Sequence, residues 1–318
     1  MKESLLAIIV CPRCHKPLRV SADREQGGKE IIAGTLQCEV CLSVFPIIRG
    51  VPRFVASEQY AVSFGFQWNR FRAVQLDSRT GTGESRRTLT ETTGWDAKRY
   101  KGKLVLDVGV GAGRFAEIAA ADGADVVGID LTTAVDAAVT NIGHLENVHL
   151  IQADLFQMPF RPETFDMVYS IGVIHHTPSP ENAFKRLAAV AKSGGTLAIF
   201  VYSQYNASHR FSDRIRFLTT RLPARLMFWL TAVAVPLYYL YRVPILGHAL
   251  RLLFPISMHA NWRWRWLDTF DWYTPRYQWK CTYPQVYGWF RANGFSQIDI
   301  FEGAIRMCGV KVFPSKSV

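Results

Sequence analysis

Apolar and polar positions alternate most regularly over residues 103–130, KLVLDVGVGAGRFAEIAAADGADVVGID. The aliphatic run at 104–108 predicts a buried parallel strand, and residues 114–121 predict a helix. A second apolar run at 126–129 predicts a strand that ends in Asp130. Strand, glycine-rich turn, helix and strand together indicate an α/β fold with a parallel sheet.

The same pattern continues towards the C-terminus. After a helix capped by Thr132 or Thr133, further strands are predicted at 148–151, 165–171 and 196–202, with a helix at 180–191 before the last of them. A final helix starting at Pro284 and a hairpin of strands at 295–301 and 305–312 complete the pattern. These elements predict that one sheet is built from both the middle and the end of the chain.

The turn after the first strand has the chemistry of a nucleotide-binding site. Gly109, Gly111 and Gly113 let the backbone bend sharply and approach a ligand closely. A dinucleotide fingerprint needs G-x-G-x-x-G, but Arg114 occupies the place of its last glycine. The pattern is instead D-x-G-x-G-x-G, which begins at Asp107, an acid suited to an ammonium group. A nicotinamide-binding or non-catalytic nucleotide fold remains the alternative.

These motifs resemble the class I methyltransferases that use S-adenosylmethionine, over roughly residues 103–202 with a weaker similarity at 284–313. The resemblance implies a Rossmann-like seven-stranded sheet. Asp130 ends its strand where a carboxylate can accept hydrogen bonds from a ribose diol, and the resemblance places Asp154 at the adenine amino group, with the backbone of Leu155 beside the ring. The expected cofactor-binding residues are Asp107, Gly109, Gly111, Gly113, Asp130, Asp154, Leu155 and Ile171.

The acceptor side is predicted from the end of the fourth strand, where the chain reads Gly-Val-Ile-His-His-Thr-Pro. His176 and His175 lie where a general base would act on a hydroxyl or an acidic carbon, because histidine titrates near neutral pH. The second histidine of such a segment also recurs as a structural loop residue, so both roles stay open. Tyr202, Arg276 and Tyr277 are further candidates on the substrate side.

Four of the six cysteines form two C-x-x-C pairs, Cys11 with Cys14 and Cys38 with Cys41, which are 23 residues apart. Four thiolates fill a tetrahedral site that suits structural Zn²⁺; a rubredoxin-like iron site or a redox dithiol are the alternatives. Together with the FPIIRGVPRF segment, the pairs resemble the zinc-ribbon activator subunit that partners several tRNA, rRNA and protein methyltransferases. The resemblance implies that activator and enzyme are fused here.

Two further segments surround the predicted core. Residues 56–102 form a connector in which Phe64, Trp68 and Phe71 share one helical face, so it either lies over the cofactor as a lid or only docks on the domain. Residues 203–280 form an insertion with sixteen uncharged residues at 226–241, too few to span a bilayer. We expect a helical cap. Arginines on both sides of the uncharged stretch also fit a peripheral membrane contact through residues 221–251.

Charge and cysteine usage set limits on partners and compartment. The formal net charge is +11, and residues 203–280 hold eleven Lys and Arg against three Asp. A basic balance fits nucleic acid, an anionic membrane or an acidic substrate, and does not choose among them. The N-terminus lacks the features of a signal peptide, and paired metal-binding cysteines are typical of a reducing compartment. We expect a cytoplasmic protein and leave association with a membrane surface open.

The sequence therefore predicts five segments: a zinc ribbon (1–55), a lid or connector (56–102), a cofactor-binding core (103–202), a helical cap (203–280) and a C-terminal helix and hairpin (281–318). The leading hypothesis is O- or C-methylation of a small-molecule or lipid-like acceptor. One alternative is an RNA or protein methyltransferase, although Ser170-Ile-Gly-Val173 stands where an N/D-P-P-Y/F motif would serve N-methylation. A non-catalytic binding protein is the second alternative, and the oligomeric state stays open.

Overall fold

A computed structural model describes residues 1–21, 30–56, 58–205 and 215–313. The N-terminal part forms an antiparallel sheet of order β1-β2-β3-β4, preceded by a 3-10 helix at Glu3–Ala7. Its strands are β1 (Leu18–Ser21), β2 (Gly34–Cys38), β3 (Val44–Ile48) and β4 (Val51–Pro52). Burial alternates along β3, where Phe45 and Ile47 face inwards, as expected for a sheet with one solvated face.

The second sheet has seven strands in the order β10-β11-β9-β8-β5-β6-β7. They are β5 (Leu104–Val108), β6 (Asp125–Asp130), β7 (Val148–Gln152), β8 (Phe165–Ile171), β9 (Ala191–Val201), β10 (Phe295–Phe301) and β11 (Ile305–Lys311). Strands β5 to β9 pair in parallel, whereas β11 runs antiparallel to both β9 and β10. The predicted α/β class with a seven-stranded sheet is confirmed.

Helices cover both faces of this sheet, as parallel strands buried on both sides require. In the central part they are α1 (Val62–Arg70), α2 (Asp77–Thr80), α3 (Glu84–Thr93), α4 (Arg114–Ala121), α5 (Ala134–Ile142) and α6 (Pro180–Val190). Helix α4 has the predicted bounds. Strand β9 begins five residues earlier than predicted, because Ala191 already pairs with Phe165. The pairing is irregular before Thr196, where Gly194 takes φ +78°.

The insertion folds as consecutive helices: residues 215–219 are helical, followed by α7 (Ala224–Thr231), α8 (Ala234–Leu240), α9 (Leu246–Leu253) and α10 (Trp262–Tyr273). Pro236 explains why the uncharged stretch forms two helices. It lies in the first turn of α8, where its missing N–H has no intrahelical partner to lose. Within the described ranges, no helix is both long and apolar enough to cross a membrane.

The chain returns to the seven-stranded sheet through α11 (Tyr283–Ala292). The Thr282 hydroxyl accepts from the Gln285 N–H, and the Gln285 side chain accepts from the Thr282 N–H, so the helix start is fixed by a capping box. Gly294, at φ +78°, follows the helix end, and Val286 and Phe290 face the core. Both helix and hairpin therefore form as predicted.

The N-terminal sheet packs against the edge of the larger sheet. The Phe54 N–H donates to the Gln152 carbonyl at 2.9 Å, and the Val10 N–H donates to the Pro159 carbonyl at 2.8 Å. Leu5 and Ile9 share one apolar cluster with Ile151 of β7 and other residues of the larger domain. Residues 1–55 thus cover β7 and complete the core on that side.

A buried arginine fixes this contact. Arg53 donates to the Gln152 side-chain oxygen at 3.0 Å and pairs with Asp136 of α5 at 2.6 Å, and it is only 8% exposed. We expect Arg53→Met to lower the free energy of unfolding by about 3 kcal/mol, because it leaves the half-buried Asp136 carboxylate without its close partner. Chemical denaturation measures the change.

Arg49→Met is the matched control. The Arg49 guanidinium lies 4.0 Å from the same Asp136 carboxylate, but its side chain is 64% exposed. Its removal should change stability by less than about 0.5 kcal/mol. Equal effects of the two substitutions would show that the buried pair does not hold the two sheets together.

Candidate active site

A cavity of about 380 Å³ opens at the carboxyl ends of the parallel strands, where ligands bind in open α/β sheets. The glycine turn after β5, Asp130 at the end of β6, Asp154 after β7 and Ile171 at the end of β8 all line it. Because these strands are parallel and in register, side chains far apart in sequence meet at one edge. This part of the wall was predicted from the sequence.

The backbone of the turn explains why two of the glycines are needed. Gly109 has φ +84°, and a Cβ there would lie 2.4 Å from Cγ2 of Val173. Gly111 has φ +53°, and a Cβ there would lie 3.2 Å from the Trp68 ring. Any side chain at these positions would therefore combine backbone strain with a steric clash or a tight contact. The turn therefore allows a ligand to approach its backbone closely.

Asp130 and Asp154 lie on the cavity wall with their carboxylates oriented by the backbone. Asp130 accepts from the Gly111 N–H at 3.0 Å and from both the N–H and the hydroxyl of Thr132 at 2.9 and 2.7 Å. Asp154 accepts from the Phe156 N–H at 2.9 Å. Burial raises the pKa of both carboxyl groups, so a ligand that donates hydrogen bonds would stabilise their charged forms.

Asp107 lies behind the glycine turn and does not line the cavity. Its buried carboxylate accepts from the Tyr169 hydroxyl at 3.0 Å. Burial raises its pKa to about 7, and the nearby Arg114 partly opposes this shift. Gly113 also lies off the cavity wall, where it begins α4 at φ +92°. Asp107 and Gly113 therefore contribute to the structure of the turn without lining the cavity.

The connector forms one side of the cavity. Phe64 and Trp68 of α1 line it, and the Phe64 ring lies 5.1 Å from the His176 ring. Phe71 does not share this face, because the helix ends at Arg70 and the Phe71 ring packs among insertion residues instead. The lid interpretation is therefore favoured over simple docking.

Two glutamines of the connector have unsatisfied oxygens. Gln67 and Gln75 line the cavity and are 2% and 6% exposed, and among the described residues neither Oε1 atom has a hydrogen-bond partner. A buried acceptor without a donor is costly, and such atoms are normally paired in a complete site. A ligand that donates hydrogen bonds here would pair them. Neither residue was predicted as part of the site.

Helix α10 of the insertion forms the roof. Trp264, Leu267 and Trp272 supply apolar surface, and Asp268 and Asp271 supply two carboxylates. Burial raises the pKa of Asp268 to about 7, and the neighbouring Asp271 adds to this shift. The predicted cap is thus formed by residues 262–273, whereas the uncharged stretch at 226–241 does not line the cavity.

Arg114, at the start of α4, also lines the cavity. Burial lowers its pKa to about 10, and the charge of Asp268 is the strongest opposing influence. The interior therefore combines one cation with several carboxylates. It does not have the excess of positive charge that an acidic acceptor would need.

His176 faces the cavity with a defined tautomer. Its Nδ1 lies 2.8 Å from the Tyr277 carbonyl, which can only accept, so Nδ1 carries the proton and Nε2 is unprotonated. Burial lowers the pKa of His176, which keeps the ring neutral at neutral pH. A neutral, oriented imidazole in an apolar wall has the properties of a general base.

The other predicted acceptor-side residues take different positions. Tyr202 lines the cavity, and its hydroxyl donates to Asp271 at 3.2 Å. His175 is fully buried behind His176, with ring centroids 4.1 Å apart, and does not line the cavity. Arg276 is exposed outside it, and Tyr277 contributes its carbonyl to His176.

The four cysteines of the N-terminal sheet converge on one point. Their sulfur atoms all lie within 4.8 Å of one another, with Cys11 and Cys41 at 3.5 Å and Cys14 and Cys38 at 3.4 Å. A tetrahedral site with Zn–S bonds of about 2.3 Å needs sulfur–sulfur distances near 3.8 Å, close to those observed. The donor set fits structural Zn²⁺.

Comparison with known families identifies the two parts of the chain. Residues 106–199 match the family model of the methyltransferase domain, and residues 2–50 match that of the Trm112p-like protein. This chain joins a Trm112p-like domain to a methyltransferase domain. The expected resemblance to both is confirmed. The seven-stranded sheet and the four-cysteine cluster agree with it.

Each of the curated relatives considered matches about a third of this chain. A sterol 24-C-methyltransferase of Saccharomyces cerevisiae is 33% identical over 35% of this chain and 32% of its own length. A tRNA U34 carboxymethyltransferase of Proteus mirabilis is 39% identical over 31% and 32%. A ubiquinone biosynthesis O-methyltransferase of Coxiella burnetii is 33% identical over 30% and 42%. The chain thus spans less than half the length of these relatives, whose names cover three kinds of acceptor.

Sequence reasoning missed the residues that reach the methyltransferase domain's cavity from outside its core. Asp268 and Asp271 are the only carboxylates between residues 215 and 280, and they stand one helical turn apart. That isolated pair in a cationic insertion was the available signal. No sequence pattern marks Gln67 and Gln75 as site residues, apart from their place in an aromatic connector.

Proposed function

We propose that this protein transfers a methyl group from S-adenosylmethionine to a hydroxyl or an acidic carbon of a small-molecule or lipid-like acceptor. One observation carries the proposal. A single cavity joins the glycine turn and the acidic strand ends to a neutral, oriented His176 under an aromatic roof. Cofactor groups and a base are therefore within one enclosed space.

The methyltransferase domain supplies the groups that would hold the cofactor. The glycines of the turn would let the cofactor approach the backbone closely, Asp130 would accept from the ribose diol, and Asp154 would accept from the adenine amino group. The free oxygens of Gln67 and Gln75 suit the ammonium end, whereas Asp107 would act indirectly, from behind the turn. When bound, the cofactor supplies a methyl group already activated by the positive sulfonium.

The acceptor would lie between His176, Tyr202 and the roof. Apolar rings from both the connector and α10 favour a largely apolar molecule. His176 Nε2 would take the proton of the attacking group, and the Asp271–Tyr202 hydrogen bond would keep the phenol oriented. The main demand on the protein is alignment of nucleophile and methyl group at about 3–3.5 Å.

The zinc ribbon is proposed to act structurally, since it completes the core beside β7 and lies far along the sheet from β8 and His176. An RNA acceptor is the second candidate, because the curated relatives include a tRNA-modifying enzyme. Residues 261–266, NWRWRW, alternate arginine with tryptophan but give it little support. Arg265 is buried and donates to the Val235, His259 and Ala260 carbonyls, so it is not available to phosphates.

The cofactor proposal is tested by calorimetric titration of the zinc-loaded protein with S-adenosylmethionine. Asp130→Asn should weaken binding by roughly 10- to 100-fold, because one charge-assisted hydrogen bond to the ribose is lost. Asp125→Asn is the control: Asp125 is exposed at the other end of the same strand, and its replacement should leave affinity unchanged. No binding to the unmodified protein would contradict the proposal.

The acceptor is then sought with radiolabelled cofactor and separate metabolite, lipid and RNA extracts. Transfer of label into the lipid or metabolite fraction is expected. Label in RNA alone, lost on ribonuclease treatment, would support the second candidate and overturn the first. Binding of the cofactor with no transfer to any fraction would favour a binding protein.

A further inference from the structure

The outer surface of the insertion is unusually apolar. Of the 28 large hydrophobic side chains that are exposed within the described ranges, 15 lie between Phe217 and Phe254. They belong to residues 215–219, to α7, α8 and α9 and to the segments beside these helices. We call residues 217–254 the outer cap surface. We propose that this surface docks the protein on a membrane that contains anionic lipids.

Helix α7 shows that the exposure follows a pattern. Met227, Phe228 and Thr231 face inwards and are buried, with Phe228 stacked on Trp266 of α10 at 4.1 Å between ring centroids. The outward-facing side chains are all exposed: Leu226, Trp229, Leu230 and Val233. Spacing of three and four residues puts these side chains on one face. A surface helix normally has polar residues there, so α7 is apolar on both sides.

The adjoining helices extend the same surface. Ile245, between α8 and α9, is 88% exposed, and in α9 only Gly247 is buried. Contiguous exposed apolar area of this kind marks an interaction site in a folded protein. Trp229 and Tyr239 are exposed here as well, and these two residue types concentrate at membrane–water interfaces.

The charges on the surface are of one sign. Arg221, Arg225, Arg242 and Arg251 are exposed, and residues 215–267 contain no Asp or Glu. Within the described ranges, none of these four arginines forms a salt bridge. Arginines around an apolar face attract anionic lipid headgroups at about 1 kcal/mol each and allow the apolar side chains to enter the interface.

A lipid surface fits these features better than a second copy of the chain. Pairing two such surfaces across a two-fold axis would bring arginine against arginine with no carboxylate from residues 215–267 to balance them. The three helices have only seven or eight residues each. Helices of this length lie in the interface and do not span it.

The docking surface and the cavity share a wall. The Trp266 indole N–H of α10 donates to the Phe228 carbonyl of α7 at 2.8 Å, and α10 forms the cavity roof. Docking would therefore hold the roof near the bilayer, which suits an acceptor drawn from the lipid phase. This consequence for the acceptor rests on the proposed function, whereas docking itself does not.

The test is co-sedimentation of the full zinc-loaded chain with vesicles at low and high salt. Vesicles of phosphatidylcholine and phosphatidylglycerol in equal parts should bind the protein, pure phosphatidylcholine should bind it more weakly, and salt should reduce the difference. Trp229→Ser should lower the partition coefficient roughly tenfold through lost apolar burial. Arg225→Glu should lower it roughly 25-fold, since it changes two units of charge.

Matched controls lie on α11, where Tyr287 and Arg291 are also exposed on a helix. Tyr287→Ser and Arg291→Glu should leave vesicle binding unchanged. Absence of binding to anionic vesicles at low salt would overturn the proposal. So would a solution dimer that Trp229→Ser dissociates, because a second copy would then cover the surface. Calorimetry with S-adenosylmethionine on the same samples keeps failure of docking separate from failure of the proposed function.

Discussion

Removal of zinc is expected to unfold residues 1–55 and to destabilise the methyltransferase domain with them. The N-terminal sheet has few buried side chains of its own, and zinc in such sites supplies about 10 kcal/mol of folding free energy. Its apolar residues belong to the same cluster as Ile151 and Phe160 of the methyltransferase domain. Loss of the sheet would expose the edge of β7 and the apolar side chains beside it.

The measurement is hydrogen exchange with and without a chelator, combined with thermal denaturation. Protection should be lost in residues 1–55, including the Phe54 and Val10 N–H groups that donate to the Gln152 and Pro159 carbonyls, and it should fall along β7 as well. Cys38→Ser should reproduce the effect. Cys281→Ser, at a buried thiol outside the metal cluster, should cost only about 1–2 kcal/mol and leave zinc content unchanged.

If the metal-free protein kept full protection along β7 while residues 1–55 exchanged freely, the ribbon would be an appended unit. The shared core would then contribute little to the methyltransferase domain. The Arg53→Met variant separates the two contributions, because it weakens the junction without touching the metal cluster.

The sheet was predictable because its signals are local. Each parallel strand is a short apolar run bounded by glycine or an acid, so β5, β6, β7 and β8 follow directly from hydrophobic pattern. Strand ends also fix which residues meet, since the carboxyl ends of parallel strands share one edge. The sequence alone therefore predicts that Asp130, Asp154 and Ile171 meet at one edge of the sheet.

The roof could not be predicted in the same way. Helix α10 is held over the cavity by contacts with α1, α7 and α8, as in the Gln67–Asp271 hydrogen bond at 3.3 Å, which joins residues 204 positions apart. The hydrophobic periodicity of the sequence does not predict which helices contact each other. The uncharged run at 226–241 gave the stronger sequence signal and was assigned to the cap, yet its exposed face points away from the cavity wall.

The position of the N-terminal sheet was hidden for a similar reason. Cysteine spacing predicts a metal site but does not say what the ribbon packs on. The sequence does not predict that the Lys2 ammonium lies 2.7 Å from the Leu145 and Val148 carbonyls. Docking of this kind depends on the shapes of two surfaces, which only the folded chain presents.

Replacement of His176 should strongly lower the rate of methyl transfer while leaving the affinity for the cofactor unchanged. Loss of a general base typically lowers kcat by 10²- to 10⁴-fold. His176→Asn is the informative variant, because the Asn amide nitrogen can take the place of Nδ1 and still donate to the Tyr277 carbonyl. It removes the Nε2 base and the ring, which packs against Phe64, but keeps this hydrogen bond. His176→Ala removes the base, the ring and the hydrogen bond together.

The pH dependence distinguishes a base from a structural residue. Burial lowers the pKa of His176, so the neutral base persists to more acidic pH than an ordinary histidine allows. With the acceptor identified by labelled transfer, the rate of the unmodified enzyme should be level near neutral pH and fall as the pH drops through this lowered pKa. Nitrogen NMR of the ring checks the Nδ1–H tautomer and the pKa without any acceptor.

A structural role gives the opposite pattern of results. His176→Asn would then keep nearly full kcat with an unchanged acid limb, and only His176→Ala would lose activity together with stability. A base role requires both variants to lose kcat, the acid limb to disappear in His176→Asn, and the dissociation constant of S-adenosylmethionine to stay the same. Tyr202→Phe completes the comparison: it removes the hydroxyl that donates to Asp271 and should reduce the rate by far less than loss of the base.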